Sequence, residues 1–154
     1  EGRPEKGKGI VIAQPDTGVA AHPELQGVMR EGGFNTLGDG PPDDPVDPLQ
    51  DGFGLNPGHG TATASVLISP ERGAADPVVG SAPLACHMPI RAIRSTWLHE
   101  EIPIARAVDA AVEAGAHVIS MSLGGLVAPI SPLRRARANP TMAGSMPATS
   151  TTTR

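Results

Sequence analysis

Residues 102–121 read IPIARAVDAAVEAGAHVISM, and their reading decides the fold. Ile104, Val108, Ala111 and Val112 recur at helical spacing on one stripe, which predicts a helix over 102–114. Pro103 suits a first turn, where a backbone N–H has no intrahelical partner, and Gly115 supplies the stop. His117-Val118-Ile119-Ser120-Met121 follows at once and reads as a strand. Residues 84–93 predict a strand before the helix. Strand, helix and strand in this order form a parallel unit whose helix covers the sheet.

The N-terminal part has the same grammar. Residues 9–13 are a continuous apolar, β-branched run that predicts a buried strand, stopped by Pro15. Residues 61–68 predict a short helix ending before Pro70. Between them, residues 35–58 form a long loop carrying Asp39, Asp43, Asp44, Asp47 and Asp51. Residues 69–83 form a second loop. The expected fold is α/β, a three-layer α/β/α domain on a mostly parallel sheet. It occupies residues 1–125. Residues 126–154 are rich in Pro, Ser and Thr, keep no period, and are expected to be a poorly ordered tail.

Composition narrows the function. The 154 residues include 19 Gly and 17 Pro, so loops take a large share. Aromatics are limited to Phe34, Phe53 and Trp97, which leaves an aliphatic core. All 16 acidic residues lie before residue 125, against eight of the 12 basic ones, which argues against a nucleic-acid partner. No apolar run reaches the length of a membrane span. Glu1-Gly2-Arg3-Pro4 has no apolar signal stretch, so a leader is expected to be absent or to lie outside these residues. Cys86 is the single cysteine and excludes an internal disulfide. It reads as a small buried apolar residue.

In open parallel sheets, ligands collect at the carboxyl ends of the strands. Asp16-Thr17-Gly18 leaves the first strand at that edge. Gly58-His59-Gly60-Thr61 opens the first helix, and Ser122-Leu123-Gly124 leaves the last strand. The topology therefore brings three segments to one rim. A carboxylate that orients an imidazole, which in turn deprotonates a hydroxyl, is the logic of a Ser-His-Asp hydrolase. Asp16 and His59 supply two of those groups.

These segments resemble the subtilisin-like serine peptidases, or subtilases. GIVIAQPDTGVAAHPEL (9–25) is similar to the family's aspartate segment, and PGHGTATASVL (57–67) to its histidine segment. VVGSAPLACHMPIRAI (78–93) and IARAVDAAVEAGAHVISMSLGG (104–125) are similar to the strand and helix–strand units that follow. The resemblance implies Asp16 as orienting carboxylate and His59 as general base and acid. It implies Ser122, Leu123 and Gly124 as a backbone edge that pairs with an extended polypeptide substrate. It implies no redox or nucleotide cofactor, leaves structural calcium open, and favours a secreted protein. The family's nucleophile lies in a Gly-Thr-Ser-Met-Ala-like run, and its oxyanion-stabilising Asn follows an apolar strand. Here Gly144-Ser145-Met146-Pro147 is a faint echo, and Asn139 precedes Pro140 with no apolar strand before it. The chain therefore reads as the front half of a catalytic domain, inactive by itself.

Two other readings stay open. Asp16-Thr17-Gly18 could serve an aspartic peptidase in a dimer with two carboxylates sharing a proton, although such domains are all-β. The fragment could also be a non-catalytic binding module. The five aspartates at 39–51 lack the spacing of a helix–loop–helix calcium loop, and a solvated loop is expected. His22, His87, His99 and His117 read as structural or exposed residues, with no metal-ligand spacing among them.

Overall fold

The computed structural model describes residues 5–73, 78–96 and 101–124. In chain order the elements are β1 (Val11–Asp16), a 3-10 turn (Pro23–Leu25), β2 (Phe34–Asn35), α1 (His59–Ile68), β3 (Cys86–Arg91), α2 (Glu101–Glu113) and β4 (Val118–Ile119). The strands form one sheet in the order β2-β3-β1-β4, and every pairing is parallel.

Alternation along β1 sorts side chains onto two faces. Ile12 packs with Val19, Leu25, Ala64, Ile68 and Ala85 on the α1 side. Ala13 packs with Met88, Ile90, Ala92, Ala107 and Ala111 on the α2 side. A helix on each face makes three layers, the α/β/α architecture expected from the sequence.

Two details depart from expectation. β1 does not stop before Pro15 but runs through it to Asp16. Cys86 N donates to Ile10 O and Ala92 N to Asp16 O, so even-numbered residues of β1 face β3. His117 N and Ser120 N donate to Val11 O and Ala13 O, so odd-numbered ones face β4. The N–H that Pro15 lacks therefore points to the β4 side, where the ladder has ended at Ala13. In α2 the deeply buried positions are Ala107 and Ala111, while Val112 is 64% exposed. Small alanines let the helix settle close to the sheet, which turns Val112 outward. No helix among the described residues is long and apolar enough to cross a membrane.

Candidate active site at the carboxyl edge of the sheet

Asp16 ends β1 and is fully buried. His59 is the first residue of α1, with 30% of its side chain exposed. Their side chains meet: His59 Nδ1 lies 2.7 Å from Asp16 Oδ1. A carboxylate is an acceptor only, so Nδ1 holds the proton and donates it. In a neutral imidazole held this way, Nε2 carries the lone pair and is the atom that can take a proton from a third group.

The approach depends on glycine. A Cβ on Gly60 would lie 2.1 Å from the carbonyl oxygen of Gly18 and 3.2 Å from the Cβ of Asp16. Gly18 has φ +97, and a Cβ there would lie 2.6 Å from Pro45 O. Gly58 precedes α1 in the left-handed region, with no side-chain cap.

Distant groups satisfy the free N–H donors at this helix start. Gly58 N donates to Asp47 Oδ2 at 2.8 Å, and Gly60 N donates to Thr17 Oγ1 at 3.0 Å. Thr17 Oγ1 in turn donates to Asp47 Oδ2 at 2.7 Å. Asp47 thus ties the turn after β1 to the start of α1. It is 4% exposed, which corrects the expectation that all five loop aspartates are solvated. The Asp47 side chain has a helix terminus and a hydroxyl to satisfy, and that outweighs its hydration.

Asp16 is held on both oxygens. Thr17 N donates to Oδ1 at 2.7 Å and Thr63 Oγ1 to Oδ2 at 3.0 Å. Gln14 Nε2 reaches Thr63 Oγ1 at 2.6 Å and Gly60 O at 3.0 Å. From the sequence, Thr17 stands only within a motif and Asp47 only among five loop aspartates, and Gln14 and Thr63 carry no assigned role. A signal for two of them was present: Gln14 interrupts an apolar run two residues before Asp16, on the same strand face, and Thr63 stands one helical turn after His59.

Arg91 closes β3 and is 7% exposed. It donates to Thr17 O at 3.0 Å and to Asp39 Oδ2 at 2.8 Å. The Arg91 guanidinium holds the Asp39 carboxyl down to about 2. Asp39 is thus committed to arginine and Asp47 to hydrogen-bond donors. Among the described residues, no three His, Cys, Asp or Glu side chains converge as a metal site.

Ser122, Leu123 and Gly124 follow β4 in irregular conformation, with Ser122 and Gly124 exposed and Leu123 half-buried. The β1–β4 ladder ends with Ala13 opposite Ile119, and Ser122 follows β4 three residues on, as Asp16 follows Ala13. Cys86 is only partly buried, not enclosed as expected. Burial, and then the nearby Glu31 charge, push its thiol up and away from thiolate reactivity. Ser145, Asn139, His99 and the segment 126–154 lie outside the described residues.

The family model described as Subtilase family, peptidase S8, matches residues 7–150. Thermitase from Thermoactinomyces vulgaris is 32% identical over 123 residues, which cover 79% of this chain and 40% of thermitase. MycP1 without its N-terminal propeptide superposes with a TM-score of 0.56 at 25% identity, over 75% of this chain and 32% of that one. Fervidolysin from Fervidobacterium pennivorans, a keratinolytic enzyme related to subtilisin, gives 0.54 at 27% identity, over 74% and 17%. The MycP3 protease of a type VII (ESX-3) secretion system gives 0.52 at 29% identity, over 74% and 31%. The chain thus spans well under half the length of each of these relatives. Because the family model matches residues 7–150, nearly the whole of this chain, the chain belongs to the Subtilase family.

Proposed function

We propose that this chain carries the aspartate–histidine part of a serine endopeptidase site of subtilisin type. The observation that carries the reading is the 2.7 Å contact between His59 Nδ1 and Asp16 Oδ1 at the carboxyl edge of a parallel sheet. In this reading His59 Nε2 takes the proton of a serine hydroxyl as its oxygen bonds the scissile carbonyl carbon. The imidazolium then gives that proton to the leaving amine as the C–N bond breaks, and water later hydrolyses the acyl ester. Asp16 fixes the imidazole tautomer and stabilises the imidazolium.

The substrate is an extended polypeptide lying along Ser122, Leu123 and Gly124, which follow β4 and are exposed or half-exposed. An exported place of work goes with this reading, supported by the likeness to the protease of a type VII secretion system. The 154 residues by themselves are inactive or nearly so. Ser145 is followed by Pro147 and a Thr-rich run, not by the apolar sequence of a helix that would present a nucleophile.

Two assays test this. The chain alone should leave a denatured protein substrate uncut, and hydrolysis abolished by Ser145→Ala would overturn the inactivity. A chimera placing residues 7–124 on the remainder of thermitase should cut that substrate and lose activity on His59→Ala. An active chimera indifferent to His59→Ala would overturn the site assignment. The parallel sheet and both helices disfavour the all-β aspartic peptidase.

A further inference from the structure

Behind Asp16, on the α1 face of the sheet, runs a line of polar side chains in a place otherwise filled by the apolar core. Gln14 is 1% exposed and His87 is fully buried. His87 Nε2 lies 2.8 Å from Gln14 Oε1. Gln14 Nε2 lies 3.0 Å from Gly60 O and 2.6 Å from Thr63 Oγ1, and Thr63 Oγ1 lies 3.0 Å from Asp16 Oδ2.

The direction of each proton follows from acceptor chemistry. Gly60 O only accepts, so the amide nitrogen of Gln14 faces it and Oε1 faces His87. His87 must then carry its proton on Nε2. Its Nδ1 is enclosed and meets no hydrogen-bond partner among the described residues. Burial, with the Arg30 charge nearby, holds the imidazole down to about 4, which keeps it neutral. Thr63 has one proton and three acceptors near it: Asp16 Oδ2, His59 O at 3.1 Å and Gly60 O at 3.2 Å. The carboxylate is the strongest acceptor of the three. Every donor in the line therefore points toward Asp16, and bonds aligned in this way polarise one another.

Resting on the peptidase reading, we propose that Gln14 and Thr63 are positioning residues for Asp16, forming with His87 a one-way relay that pins Oδ2 and leaves Oδ1 for His59. An apolar residue at position 63 would leave Oδ2 without its side-chain donor, free to rotate, and one at position 14 would remove the bond that turns the Thr63 hydroxyl toward Oδ2. The His59 Nδ1–H bond would then loosen, though neither residue hydrogen-bonds the His59 imidazole.

The test is NMR on the isotopically labelled full chain. The unmutated chain should show a downfield His59 Nδ1–H resonance that Asp16→Asn abolishes. Thr63→Val, equal in size, should accelerate exchange of that proton with water about tenfold, the scale of one charge-assisted hydrogen bond. Thr63→Ser should restore slow exchange. Unchanged exchange in a folded Thr63→Val chain overturns the relay and leaves the peptidase reading standing. A missing resonance in the unmutated chain, or one that survives Asp16→Asn, removes the Asp16–His59 couple and the peptidase reading with it. Should Thr63→Val fail to fold, nitrogen correlations in the unmutated chain decide by the tautomer of His87. A proton on Nε2 supports the relay, and one on Nδ1 reverses its direction and overturns it.

Discussion

Gly60 and Gly18 touch backbone to backbone: a Cβ placed on Gly60 would stand 2.1 Å from the Gly18 carbonyl oxygen. The contact is what lets the start of α1 lie against the turn after β1, and so what sets His59 beside Asp16. Gly60→Ala cannot be absorbed by a side-chain rotation, because the obstacle is main chain. We expect it to lower stability by about 2–3 kcal/mol, the usual scale of overpacking. It should also remove the His59 Nδ1–H resonance. Thermal unfolding followed by circular dichroism, with the proton spectrum, checks both. A variant that keeps the resonance would show that the two segments separate without opening the couple.

Asp47 holds the same junction from outside the sheet. Its carboxylate accepts from Thr17 Oγ1, Gly58 N and Leu49 N within 2.7–2.8 Å. Asp47→Ala leaves buried donors unpaired and should lower stability by about 2–4 kcal/mol. Asn is no rescue, since its amide nitrogen would face another donor whichever way it turned. Chemical denaturation of the two variants should therefore place both well below the unmutated chain. An Asp47→Asn midpoint equal to the unmutated one would show that the donors are satisfied elsewhere.

The parallel sheet and its covering helices were legible because their signals are local and repeated. A β-branched run, a helical stripe closed by Gly115, and a strand entered at once leave few topologies open. Asp16 and His59 were legible for a different reason, since the glycines beside them mark where backbone must come close. β2 was not legible: Phe34–Asn35 is a two-residue strand, too short for any period, and exists because β3 offers it an edge. Asp47 was hidden in a loop where five similar residues look alike until one is seen beneath a helix terminus. Gln14 and His87 sit in strands at positions where apolar residues are expected, and only the packing of α1 above them shows where their polar atoms go.

Arg91 links the turn after β1 to the aspartate loop, donating to Thr17 O and forming an ion pair with Asp39. Asp39 is held at about 2, below its ordinary 3.8, first by the Arg91 hydrogen bond. A depressed carboxyl contributes stability above its unfolded value and loses it as pH falls through its folded one. The pair should therefore add an acid-labile contribution between pH 3.8 and about 2, roughly 1 kcal/mol after solvent screening. Arg91→Met should flatten the stability curve in that interval. Parallel curves for the two proteins would show that Asp39 is held by other donors.

His87 should dominate at milder acidity. Its folded value of about 4 lies below the ordinary 6.5, so the unfolded chain binds the proton more readily. Stability from this group is complete above pH 6.5, declines as pH falls, and is gone by about 4. The displacement corresponds to about 3 kcal/mol, a large share of what a small domain has to lose. Arg30 is the nearby charge that helps depress it, behind burial itself. His87→Leu removes the titrating ring. It should lower stability at neutral pH, because Gln14 Oε1 loses its donor, yet flatten the slope between pH 6.5 and 4. Urea midpoints measured across that interval separate the two effects. The same steep slope in both proteins would show that His87 binds its proton as readily in the folded chain as in the unfolded one, and that another group drives the loss.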